Sequence, residues 1–165
     1  AILAARSEQD SVGGVIQCAV LGLEPGVGSP DLGRNVEGVI ARHMFAVPAV
    51  KGIAFGAGFA CAAMRGSRYN DIPYMDGGQV KTRTNFNGGV NGGITNGMPV
   101  VFEVAVRPTP SIARPQETVD MAKGENAVIA VQGRHDPCVV HRAVPVIEAA
   151  AALAACELRE GRSTL

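Results

Sequence analysis

The period of apolar positions changes several times along the chain, and each change marks an element. From Val12 to Leu23 the run "VGGVIQCAVLGL" is β-branched and partly alternating, which predicts a strand. The next eight residues, "EPGVGSPD", form a turn-rich loop. Between Asp31 and Phe45 the apolar positions Leu32, Val36, Val39, Ile40 and Met44 fall at helical spacing. Gly33 and Gly38 interrupt that helix, each costing about 1 kcal/mol relative to Ala. "AVKGIAFG", from Ala49 to Gly56, predicts a short strand, and "GFACAAMRG" predicts one or two helical turns ended by Gly66. A polar segment then centres on a hairpin turn at Asp76-Gly77-Gly78, followed by "VKTRTN", a short strand. Pro99 to Pro108 is the clearest strand. One of its faces carries Val101, Glu103, Ala105 and Arg107, and the other carries Val100, Phe102, Val104 and Val106. "TPSIARPQETVDMAKGEN" reads as a long loop and "AVIAVQG" as a last strand. A helix is expected from about Arg142 to Glu160, with Pro145 in its first turn and Gly161 just past its end. Runs of consecutive strands predict a largely antiparallel sheet with helices on one face, and those helices would still have an apolar face to cover.

Composition sharpens this picture. At 165 residues, 47% of them hydrophobic, the chain supports a single domain, residues 1–165, with a real core. There is no Trp, and with only seven aromatic residues the core must be built from Val, Ala, Ile and Leu. Fifteen basic and fifteen acidic residues balance, so no general attraction to nucleic acid or membrane is expected. Cys18, Cys61, Cys138 and Cys156 lie far apart with no Cys/His ligand spacing, which predicts neither structural zinc nor a disulfide framework. A reduced, cytoplasmic setting fits best. The longest apolar run, Ala143 to Cys156, holds Pro145 and Glu148 and is too short to span a bilayer. The chain opens "AILAARSEQDSVGG", without Met and without targeting character, and reads like the middle of a longer protein.

Three segments could carry chemistry. "NGGVNGGITNG", Asn87 to Gly97, holds five glycines and could serve as a tight structural loop or as a cradle whose backbone N–H groups approach an anion; it is neither GxGxxG nor a Walker loop. "VRPTPSIARPQ" sets Arg107 and Arg114 around a stiff loop bearing the Thr109 and Ser111 hydroxyls, suited to a phosphate or heteroaromatic edge, or to a plain surface crossover. "GRHDPC" compresses four reactive side chains in front of an apolar helix. Either Asp136 caps that helix, or Arg134 grips an anionic substrate while Asp136 moves a proton. His43 reads as solvated or packed, and Cys138 and Cys156 as small apolar residues without a base partner.

Taken together, "DSVGGVIQC", "PAVKGIAFGAGFACAAMRGS", "NGGVNGGITNG", "RPTPSIARPQETVD" and "GRHDPCVVHRAVPVIEA" resemble the chorismate synthase family, in the right order and over nearly the whole chain. The resemblance covers the family's C-terminal half and implies a missing N-terminal half. It implies an α+β fold of the β-α-β sandwich type, of which this chain would be one half, and assembly as a homotetramer. It also implies a 1,4-elimination of phosphate from 5-enolpyruvylshikimate 3-phosphate, with reduced FMN required but no net redox change. NADPH would enter only if the enzyme reduces its own flavin. Residue by residue, the resemblance assigns flavin contacts to Pro48, Ala49, Gly92 and the segment Arg107, Pro108, Thr109, Pro110 and Ser111, where Arg107 replaces a family lysine. It places Arg134 between flavin and substrate and gives Asp136 the handling of the proton. The competing reading is a stand-alone flavin- or nucleotide-binding module, or an assembly module, without catalysis.

Overall fold

The computed structural model describes residues 1–161. A short helix α1, Ile2–Ser7, which the apolar pattern does not signal, leads into strand β1, Gly14–Val20. Helix α2, Val36–Phe45, follows a loop and starts five residues later than the periodicity suggests. Asn35 explains the shift. Its side chain accepts a hydrogen bond from the Gly38 amide, capping the helix, while Gly33 sits outside at φ +89° and Leu32 is 98% exposed. Strand β2, Val50–Phe55, runs into a 3-10 turn at Gly58–Ala63 and the one-turn helix α3, Gly66–Tyr69. Gly66 therefore opens a helix rather than ending one.

Three small hairpins and the long strand complete the β structure. Strands β3, Pro73–Asp76, and β4, Gln79–Thr82, meet at the expected turn, with Gly77 and Gly78 both at positive φ. Strands β5, Val90–Asn91, and β6, Ile94–Thr95, fold the glycine-rich segment onto itself. Strand β7 is Val100–Val106. Where a long loop is expected, Gln116–Asp120 forms strand β8, paired with β9, Glu125–Ile129. Polar residues hide this hairpin from a hydrophobic pattern; its pairing comes from the turn at Asp120–Gly124, where Gly124 has φ +69°.

The main sheet has the order β1-β7-β2, antiparallel throughout. Val100, Phe102, Val104 and Val106 point inward and are buried, as the alternation predicts. Helix α4, Val140–Glu160, packs over β1, and α2 packs over β2, both on the same face, and the two helices also touch each other. Ile147, Ala150, Ala151, Ala154 and Leu158 form the buried stripe of α4. The small alanines let the helix approach the sheet closely, which is how a chain poor in aromatics fills its core.

Helix α4 starts two residues earlier than expected, so Pro145 falls in its second turn. There it cannot donate to the His141 carbonyl, a local weakness the packed stripe beyond it offsets. Gly161 does end the helix, but at φ −61°, so it supplies no left-handed stop. Asp136 does not cap it either. Val139 occupies the cap position, with no side-chain hydrogen bond.

The segment before the β5–β6 hairpin is held by one carboxylate. Asp71 accepts from the Thr84 hydroxyl at 2.6 Å, the Phe86 amide at 2.8 Å, and the Asn87 amide and side chain, both at 2.9 Å. Tyr69 adds a bond to the Asn87 side chain and stacks on Phe86. Gly88 is then pressed against Gly56 and the Val101 carbonyl, where no Cβ would fit. Burial pushes the Asp71 carboxyl up, but the bonds from Thr84, Asn87 and Phe86 outweigh it and hold the group below its ordinary value of 3.8.

Two measurements check this account. Phe102→Ala should cost about 3–5 kcal/mol in chemical denaturation, because the ring is fully buried at the centre of the sheet. A carboxyl depressed in the folded state stabilises above its unfolded value and loses that contribution as pH falls through the folded value. Asp71→Asn should therefore lose less stability than the wild type as pH is lowered through and below the ordinary carboxylate range, read from urea-unfolding midpoints.

Candidate functional site

The predicted residues fall at the two ends of β7. At its C-terminal end the chain leaves the sheet through Arg107 to Ser111. The Arg107 amide donates to the Ala49 carbonyl at 2.9 Å, which ties this segment to the Pro48-Ala49 turn. Ala49 has φ +74°, a left-handed conformation that costs a residue with a Cβ roughly 1–2 kcal/mol. The turn is thus held in a strained shape at the position the motif analysis singled out.

The N-terminal segment threads against the same loop. The Ser11 hydroxyl donates to the Thr109 carbonyl at 2.6 Å, and Arg114 pairs with Asp10 at 3.0 Å. Gly13 lies so close to the Val106 carbonyl and the Pro108 ring that any side chain would overlap them. The Val12 amide donates to the Pro137 carbonyl at 2.8 Å, which brings the "GRHDPC" turn to the same end of the sheet. Gly14 touches Val140 at the start of α4, reinforcing that position. Ser111, Ile112, Gly133, His135 and Asp136 consequently line one cleft of about 200 Å³, together with Asp10 and neighbouring residues.

Sequence reasoning did not pick out Asp10, Ser11 or Arg142 as members of this end. Arg142, from the first turn of α4, pairs with the Asp136 carboxylate at 2.7 Å. Of the five arginines here, Arg6 among them in the cleft wall, Arg114 and Arg142 have acidic partners. The Arg107 guanidinium donates to the Pro108 carbonyl, and Arg6 and Arg134 are exposed with no side-chain hydrogen bond or ion pair among the described residues. His135 lines the cleft and is bonded through Nε2 to the Val131 carbonyl at 3.0 Å. Cys138 is buried.

This end suits an anionic, hydrogen-bonding ligand. Three arginines, Arg6, Arg107 and Arg134, have no acidic partner among the described residues, and the Thr109 hydroxyl is buried with no partner among them either. Such an orphan group is costly unless something supplies its hydrogen bond. The residues present therefore fit a phosphate-bearing cofactor, with Thr109, Ser111, Arg107 and Arg134 as the groups that would hold it.

Gly92 lies elsewhere. It forms the two-residue β5–β6 turn with Gly93, both at positive φ, and the Gly93 carbonyl accepts from the Val36 amide at the start of α2. Ala49 follows the other end of that ten-residue helix. The two positions thus adjoin opposite ends of α2.

His43 behaves as a packed residue, bonded to Glu157 at 2.8 Å beside an Arg42–Glu157 pair. Hydrogen bonds from His43 and Arg42 hold the Glu157 carboxyl below its usual range. Among the described residues there is no group of three or more His, Cys, Asp or Glu placed to hold a metal ion, and no helix long and apolar enough to cross a membrane.

Comparison with known proteins agrees with the motifs. A profile of the chorismate synthase family matches residues 1–158. Chorismate synthase from Korarchaeum cryptofilum is 51% identical over 148 residues, which is 90% of this chain and 41% of that protein. Chorismate synthase from Methanothermobacter thermautotrophicus is 49% identical over 153 residues, 92% of this chain and 41% of the relative. A crystal structure of chorismate synthase superposes with a TM-score of 0.64 and 38% identity, covering 67% of this chain and 33% of that one. The chain thus spans about two fifths of the length of the curated relatives it matches. With nearly its whole length matched by that profile and half its residues shared with such relatives, the chain belongs to the chorismate synthase family.

Proposed function

We propose that this chain is the C-terminal portion of a chorismate synthase, a lyase that removes phosphate from 5-enolpyruvylshikimate 3-phosphate in the shikimate pathway. The observation that carries this reading is the convergence at one end of the sheet. The Pro48-Ala49 turn, the Arg107–Ser111 loop and the Asp136 turn are joined there by three hydrogen bonds from Arg107, Ser11 and Val12.

The 1,4-elimination breaks a C–O bond to phosphate at one end of an allylic unit and a C–H bond at the other; the double bond between them becomes single and two conjugated double bonds form on either side of it. Its difficulty is that the leaving group is highly charged while the hydrogen is poorly acidic. Arg107 and Arg134, without acidic partners, would stabilise the negative charge of cofactor and leaving phosphate. Reduced FMN, when bound, would supply electron density that helps the phosphate depart, without net oxidation. Asp136, at the cleft wall, would receive or relay the proton. Thr109 and Ser111 would orient the cofactor through their hydroxyls. Gly92 would meet a flavin at the other end of α2 from these groups, either a long-reaching ligand or one held mainly by another copy.

The unused helix surface supports a partner segment. Val144, Val146 and Leu153 on α4 are 44%, 47% and 62% exposed, although the buried stripe of the same helix is already filled. These residues would pack against the remaining part of the family's polypeptide, and four subunits would assemble in the cytoplasm. The short coverage of the relatives also sustains a second reading, in which the chain binds a flavin or nucleotide, or serves assembly, without turning over substrate.

The complete product of the gene carrying this sequence should form chorismate with reduced FMN. Asp136→Asn in that protein should cut turnover by at least about 100-fold while FMN remains bound. Unchanged turnover would remove Asp136 from the mechanism. The 165-residue chain alone should give no chorismate, and measurable product from it would overturn the expectation that it is a partial enzyme.

A further inference from the structure

We infer that Arg142 is the positioning residue for Asp136, an inference that rests on the proton role proposed above. Asp136 sits in a turn rather than in a helix or strand, so its backbone alone does not aim it. Pro137 restricts Asp136 to extended conformations. The bond from the Val12 amide to the Pro137 carbonyl then pins the turn to the start of β1. These constraints place the Cα. They leave both side-chain torsions of Asp136 free.

Arg142 removes that freedom. Its Nη1 lies 2.7 Å from Oδ2 of Asp136 as an ion pair, and no other side-chain contact to this carboxylate occurs among the described residues. Oδ1 is therefore left open while Oδ2 is held, the division of labour expected of a carboxylate that exchanges a proton. Arg142 belongs to the first turn of a 21-residue helix whose later turns are anchored by Ile147, Ala150, Ala151, Ala154 and Leu158, and Val140 in that turn packs so near Gly14 of β1 that a side chain there would press on it.

A stabilising role does not account for the pair. Its side chains are 36% and 62% exposed for Asp136 and Arg142, and ion pairs that open to water contribute little to stability. What the pair does supply is a fixed orientation, and misplacing a reacting group by about 1 Å costs about 100-fold in rate.

The test is a double-mutant cycle in the complete gene product, with substrate, reduced FMN and the variants Arg142→Met, Arg142→Lys and Asp136→Asn. Arg142→Met should lower kcat about 100-fold with KM little changed, and Arg142→Lys should recover part of that loss. In the Asp136→Asn background the same Arg142→Met change should cost nothing further, because its target is gone. An equal additional loss in that background overturns the positioning role. If Asp136→Asn leaves turnover intact, the proton role fails first, and this inference fails with it.

A second measurement is independent of turnover. Carbon-13 NMR of the Asp136 side-chain carboxyl in this chain should show the resonance moving in Arg142→Met and keeping its position in Arg142→Lys. The thermal midpoint should stay nearly constant. A resonance that ignores Arg142→Met overturns the pairing itself, whatever the kinetics show.

Discussion

Strand β7 carries hydrogen-bond ladders on both sides, and the positions of the other elements follow from that double pairing. Its register sets Gly14 and Val50 opposite Val106, so the starts of β1 and β2 come to the same end of the sheet. A strand whose partners both run antiparallel to it must bring their N-termini to its C-terminus. The Pro48-Ala49 turn, the Asp10–Gly13 segment and the Arg107–Ser111 loop therefore meet without any long-range search by side chains. A one-residue slip would turn Phe102 and its neighbours out of the core, so the site is held in place by the same burial that holds the fold.

The opposite end of β7 is organised differently. There the backbone is rich in glycine, and order comes from polar contacts. Asp71 gathers the amides and side chains of residues 84–87, and close contacts among Gly56, Gly88 and the Val101 carbonyl seal the junction. One end thus offers arginines without acidic partners and an orphan hydroxyl. The other offers a tight glycine turn at Gly92 that stands clear of its surroundings. Helix α2 separates the two.

Helix α4 links core and site in a different way. Its middle and C-terminal turns supply the buried stripe, and its first turn supplies the partner of Asp136. The apolar run that looks like a simple anchor is therefore also the platform on which the carboxylate is aimed. Val144 on one flank of the buried stripe, and Val146 and Leu153 on the other, remain exposed.

The local character of the chain was legible in its sequence wherever one physical signal dominated. Alternation in Val100–Val106 is a strand burying one face, and the Gly77-Gly78 turn admits only a hairpin, because both depend on neighbours along the chain. The five motifs identified the family for the same reason. Strand β8 was not legible, since its polar residues carry no burial pattern, and the start of α2 moved because the Asn35 cap outweighed a periodic Leu32. Only the tertiary structure decided that Asp136 faces Arg142 rather than capping a helix, that Ser11 and Asp10 join the Arg107 loop, and that Gly92 stands apart from both. Those contacts join residues brought together by sheet register and helix packing. Such proximity is a property of the folded chain as a whole, and no stretch of residues encodes it alone.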